Sequence, residues 1–348
     1  MRSAPTAPLA PRLLPNAAIT LVRRLVDGVI ACLGVKVCRH AAQCRGARRV
    51  YEAAGYTLDM DLLDACIQTR NICAQALLEA LRELLGAREP ISETAVAARW
   101  LSRLRQHGTL YPDGWYMPPP HGLFVQFGTD EVPGRVTQTT NRVAGAWPRP
   151  DSYLDREKGI LSAYASPVDR ETGMIGDFGI TLYFGRKREI HDMIHKTLAI
   201  DRAVFEKLTV GMPLSRVATL ALEQIRVAGF SNSIVSLNDT QGTNIGHTLP
   251  ASDTGWDAAE QGIISGSDWQ RAVEVISAKR LFINTTERAE IVPNMAHTLE
   301  PRPMIPDRPD LPMINLHTIV IWRGGTKKWV CGFEDLFALA GMDAPVDI

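Results

Sequence analysis

One pattern occurs twice in this chain, and few folds accommodate it. Leu62, Leu63, Cys66, Ile67, Cys73, Leu77, Leu81 and Leu84 recur at helical spacing and run into Gly86, where a glycine is expected to stop a helix. A second helix opens after Pro90, with Ser92 as its N-cap, Ile91 placed to staple onto Val96, and Gly108 beyond its end. The order then returns. Ile190, Met193, Ile194, Leu198, Val204 and Leu208 mark one helix, and "VGMPLSRVATLALEQIRVAGF" marks another, with Ser215 as its cap and Gly229 as its stop. The expected helices are 60–85, 92–106, 187–208 and 215–228. Short strands follow each pair, so the order predicts an internal duplication. The expected product is an α+β domain from residue 59 to 348, with helices covering one side of a curved antiparallel sheet and a pocket at a pseudo-twofold axis.

Two stretches near the C-terminal end carry the chemistry. "EIVPNMAHTLEPRP" at 290–303 puts Glu300 at the end of an apolar strand against Pro301, and "MINLHTIVIWRGG" at 313–325 is a β-branched strand closed by Gly324 and Gly325. A carboxylate buried at a strand end without a partner costs several kcal/mol, so a cationic or protonated group should face it. Asp177 in "GMIGDFGITLYFG" and His247 in "TNIGHTLP" meet that need best, each in a short Gly-flanked apolar stretch. An Asp, a His and a Glu delivered by three separate strands make a candidate metal-ligand set.

Composition narrows the partners. In a chain of 348 residues, Lys plus Arg balances Asp plus Glu at 38 each, so no overall field favours nucleic acid or an anionic membrane. No apolar run is long enough to span a bilayer. The cysteines, Cys32, Cys38, Cys44, Cys66, Cys73 and Cys331, fit no zinc-knuckle spacing and read as reduced thiols of a cytoplasmic protein. Residues 1–58 differ from the rest: nine Lys or Arg fall in the first fifty positions against the single acid Asp27, which reads as a basic extension rather than a secretory signal.

The phrases "GMIGDFGITLYFG", "NIGHTLP", "IVPNMAHTLEPRP" and "LHTIVIWRGG", in this order after paired helices, resemble the pita-bread fold of the creatinase, prolidase and methionine aminopeptidase family over about residues 59 to 335. The resemblance implies a dinuclear metal site of two Asp, one His and two Glu. Asp177 matches the second Asp, His247 the ligand His, and Glu300 the Glu before Pro. The first Asp is Ser166 here, the bridging Glu is Leu316, and Thr254 stands where a second His is expected. The expectation is therefore one divalent ion (Mn, Fe or Zn) on Asp177, His247 and Glu300, or none, with a protonated His247 in its place. Two divalent cations a few ångströms apart need the missing carboxylates.

His317, retained in "LHTIV", is a candidate acid-base group beside His247, the other catalytic candidate. Arg135 and Arg142 are candidate carboxylate-binding residues, and Trp256 a substrate contact in the long segment 251–270. The stretch 110–128, rich in aromatics and Pro, reads as a loop lining the pocket. The function expected is hydrolysis or elimination of a small polar molecule by a homodimer in the cytoplasm. Its alternatives are an aminopeptidase or prolidase whose missing ligands come from Asp253 or Asp257, and a binding protein that keeps the fold without the chemistry.

Overall fold

A computed structural model describes residues 61–116, 120–137, 147–233 and 243–343. The basic extension expected at 1–58 lies outside the described residues. Helix α1 (Leu62–Gly86) is capped by Asp61, whose carboxylate accepts from Leu63 N at 2.9 Å, and α2 (Glu93–Arg105) by Ser92, which accepts from Ala95 N at 3.1 Å. Ile91 and Val96 are both buried in the main core, as a staple requires. Gly86 is the last residue of α1 rather than a left-handed stop beyond it, and Ala87 ends the helix in extended conformation.

Strands β1 (Phe124–Thr129), β2 (Gly159–Ala165) and β3 (Phe178–Tyr183) follow as a three-stranded antiparallel sheet in that order. The second helix pair is α3 (Arg188–Lys207) and α4 (Leu214–Val227). Ser215 does not cap α4. Pro213 is the N-cap, and the first turn is tied instead by Leu214 N to Ala289 O at 2.8 Å and Ser215 N to Glu287 O at 2.9 Å. Gly229 (φ 81°) does supply the left-handed stop.

The second half adds β4 (Ser231–Asn232), α5 (Ala258–Ile264) and α6 (Trp269–Ala278) before β5 (Met295–Leu299), β6 (Pro303–Met304), β7 (Thr318–Arg323), β8 (Thr326–Val330) and α7 (Glu334–Leu339). β5, β7 and β8 form a second three-stranded sheet, and β4 pairs with β6. Gly324 and Gly325, both at positive φ, make the two-residue turn between β7 and β8. Each helix pair thus precedes a three-stranded antiparallel sheet.

The described strands form two main sheets rather than one continuous curved sheet. They meet where residues 315–317 run beside β3: His317 N donates to Gly179 O at 2.9 Å, and Asn315 N to Thr181 Oγ1 at 2.8 Å. On the other side of β5, the segment around His247 is held by Thr298 N to His247 O at 2.8 Å and Glu300 N to Ile245 O at 2.7 Å. The ends of β3, β5 and β7 therefore converge on one junction.

Candidate functional site

Asp177 immediately precedes β3, Glu300 follows β5, His317 precedes β7, and His247 lies on the segment beside β5. Their side chains meet. His247 Nε2 stands 3.1 Å from Asp177 Oδ2 and 3.2 Å from Glu300 Oε1. On the far side, His317 Nδ1 faces Asp177 Oδ1 at 3.8 Å and His317 Nε2 faces Glu300 Oε2 at 3.7 Å. All four are buried. Each carboxylate thus lies between two imidazoles, in a closed ring.

Arg302, two residues beyond Glu300, was not foreseen. Its Nη2 lies 3.1 Å from Glu300 Oε2 and 2.7 Å from His317 Nε2, and it is itself buried. Two carboxylates therefore face Arg302 on one side and the His247 imidazole on the other. The ring sets the charge states. Burial opposes ionisation of Asp177, but the hydrogen bond from His247 and the neighbouring His317 imidazole outweigh it and hold the carboxyl well below its usual range. Glu300 is lowered in the same way: burial opposes, and the neighbouring His317, His247 and Arg302 prevail. Burial likewise works against charge on His247, but Glu300 and Asp177 together raise it above the ordinary histidine range.

Arg70 on α1, also missed from sequence, clamps the junction from behind. Its guanidinium donates to the carbonyls of Asp177, His317 and Cys331 and sits between the rings of Phe178 and Phe333, 5.0 and 5.5 Å from their centroids. In front, β-sheet register makes an aromatic row. Phe124 pairs with Tyr164 and Tyr164 with Gly179, and the His317 ring lies over Gly179, where a Cβ would come within 2.5 Å of it. Tyr164 accordingly meets the His317 ring at a tilt of 58°, 5.1 Å between centroids. Trp115 meets His247 edge-on at 5.4 Å, so the stretch 110–128 does border the site. Burial first, then the charges of Asp177 and Glu300, push the Tyr164 phenol well above its ordinary range.

The remaining expected residues lie elsewhere or are engaged. Arg135 pairs with Glu93 and donates to Trp147 O at 2.9 Å, anchoring the segment after β1. Arg142 lies outside the described residues. Trp256 donates from Nε1 to Thr172 O at 2.7 Å and packs against Gly173, which places it on the loop before β3 rather than in the ring. Asp253 and Asp257 do not supply missing ligands: both are exposed, and Asp257 caps α5. Ser166 accepts from Tyr116 N at 3.2 Å and donates to His121 O at 3.3 Å, so its hydroxyl pins the segment that carries Trp115. Leu316 is fully buried in the main apolar core.

A two-ion centre does not fit this donor set. Leu316 brings no oxygen, the Ser166 hydroxyl is spent on backbone, and a guanidinium already stands against Glu300. A single ion does fit. Asp177, Glu300 and His317 bring one donor atom each within 4.8 Å of one another, a buried group able to hold a metal. His247 has the orientation of a metal-ligating imidazole as well: Nδ1 donates to Thr248 O at 2.9 Å, which turns Nε2 toward both carboxylates.

Among solved structures, the chain is similar to the X-Pro aminopeptidase from Thermotoga maritima MSB8 (13% identity, 81% of this chain and 63% of that one, TM-score 0.51) and to the prolidase from Pyrococcus furiosus (14%, 81% and 66%, 0.50). It is also similar to the prolidase from Pyrococcus horikoshii OT3 (12%, 95% and 72%, 0.50). The chain spans less than two thirds of the length of the first two. No protein-family model matches the sequence, and no curated protein matches it. The likeness establishes the fold: the chain has the α+β pita-bread architecture of these peptidases.

Proposed function

We propose that this pita-bread-fold chain is a divergent enzyme that acts on a small polar molecule by hydrolysis or elimination, at a site taking at most one divalent ion. The observation that carries the reading is the buried ring of Asp177, His247, Glu300 and His317 with Arg302 against it. Two negative charges already face Arg302 and His247, and among the described residues the ring itself holds no third carboxylate to offset a second divalent cation.

Asp177, His247 and Glu300 would hold the ion, Mn, Fe or Zn. Bound there, it supplies Lewis acidity that draws electron density from a substrate oxygen. The chain's own groups do the rest. Asp177 Oδ1 and His317 Nδ1, both buried and without a hydrogen-bond partner, face each other across 3.8 Å. That gap is too long for a direct bond and leaves donor and acceptor side by side without each other as partner. Trp115 and Tyr164 shield the two imidazoles from bulk water, which strengthens these polar contacts. A site with one cation and a fixed donor is better matched to an activated small molecule than to an unactivated amide.

Buried free thiols at Cys66, Cys73 and Cys331 support a reducing, cytoplasmic setting. Among the described residues no helix is long and apolar enough to cross a membrane. A homodimeric state belongs to the same proposal.

Purified chain incubated with Mn, Fe or Zn and a panel of Met-, Pro- and other dipeptides should release negligible amino acid. Elemental analysis should find no more than one ion per chain, and the turnover of the true substrate should vanish in His247→Ala. Robust metal-dependent dipeptide cleavage, or two ions per chain, would sink the reading.

A further inference from the structure

Arg302 is placed with more care than a charge-balancing residue needs. Its backbone N donates to Asn232 Oδ1 at 2.9 Å, its carbonyl accepts from Ser233 N at 2.9 Å, and Nη1 donates to Glu300 O at 3.1 Å. These contacts aim Nη2 at His317 Nε2, 2.7 Å away. A guanidinium offers donors only. Nε2 must therefore accept, which requires its lone pair, and the imidazole carries its one proton on Nδ1. The ring is held in place by the tilted Tyr164 ring, 5.1 Å away between centroids, and by its seat over Gly179, and a 180° turn about its Cβ–Cγ bond would put a carbon in place of Nε2 against Arg302.

We propose that Arg302 is a positioning residue that holds His317 with its proton on Nδ1, making His317 a fixed hydrogen-bond donor to a substrate oxygen and withholding it from any metal ion. This rests on the reading that the site acts on a small polar molecule. A neutral imidazole that donates a hydrogen bond stabilises negative charge developing on a carbonyl or carboxylate oxygen and needs no proton transfer to do so. His317 is then a polarising group and not the site's general base. Although Asp177, Glu300 and His317 are close enough to share an ion, neither nitrogen of His317 is open to one. An ion would take His247 instead.

The test uses the full chain with 15N-labelled histidine and long-range proton–nitrogen correlation spectra, with His317→Gln assigning the resonance. The wild type should show a protonated Nδ1 and an unprotonated Nε2 at His317. Arg302→Met should move both nitrogens toward the averaged values of an exchanging ring, and Arg302→Lys should restore much of the original pattern. A wild-type spectrum with the proton on Nε2, or with both nitrogens protonated, overturns the proposal whether or not the variants fold. So does an unchanged tautomer in folded Arg302→Met. With Co2+ alone as the probe, a loss of affinity of about 10-fold or more in His317→Gln would also overturn it, since that would make His317 a ligand. Neither readout needs turnover, so failure of the reaction-class reading leaves both decisive.

Discussion

Arg70 shows how much one buried side chain decides here. Among the described residues it has no carboxylate partner of its own; it is satisfied by three carbonyls and two aromatic faces, and two of those carbonyls belong to Asp177 and His317. Burial lowers its pKa, yet a guanidinium retains its proton under any ordinary condition. Arg70→Met fills similar volume but leaves buried carbonyls unpaired, at about 1–3 kcal/mol each where no water replaces the donor. Urea denaturation should therefore show a loss of about 3 kcal/mol or more. Arg70→Lys, with one compact ammonium in place of a fork, should recover only part of it. A loss below about 1 kcal/mol in the Met variant would mean that the clamp is not structural.

At the scale of elements, the site depends on how closely the approach to β3 passes α1. A Cβ at Gly176 would lie 2.4 Å from the Arg70 N and Thr69 C backbone atoms, so the segment before β3 touches helix backbone directly. No rotamer change relieves a clash between two main chains. Gly176→Ala should therefore cost about 1–3 kcal/mol in a thermal or urea melt, and it should shift Asp177, its neighbour, off the imidazole ring. A stability change within ~0.5 kcal/mol would show that α1 and the β3 approach slide past each other freely. The same contact explains why Arg70 reaches the carbonyl of Asp177 at all.

For the molecule as a whole, buried histidines outside the ring set an acid limit. Burial lowers His297 from 6.5 to about 4, and His121 likewise to about 4. The unfolded chain takes up these protons as pH falls through the ordinary histidine value, whereas the folded chain resists until near pH 4. The stability they supply is thus present above about pH 6.5 and lost as pH falls toward 4, at up to about 1.4 kcal/mol per pH unit for His297. Denaturation midpoints measured across that window should fall less steeply in His297→Gln than in the wild type, by about one proton's worth of slope. Parallel profiles would show that His297 already charges in the native state.

The helices, their order and their repetition were legible because periodicity, the Ser92 cap and the Gly229 stop are local properties of the chain. So were Asp177, His247 and Glu300 as chemistry-bearing residues at strand ends, because a carboxylate in an apolar strand calls for a partner wherever that partner lies. Arg302 and Arg70 were not legible. Nothing in the local sequence tells an arginine bound for solvent from one folded onto a histidine or onto three carbonyls. Arg135 was read as a substrate contact for the same reason, and only the packing of Glu93 beneath it shows where its charge is spent. Long-range register decided the rest: Gly179 opposite Tyr164 gives the His317 ring its seat, and residues 315–317 running beside β3 turn His317 toward Asp177 while Leu316 joins the core. A side chain's type is set by sequence, but the partner that fixes its proton or its charge is set by which strand ends the fold brings together.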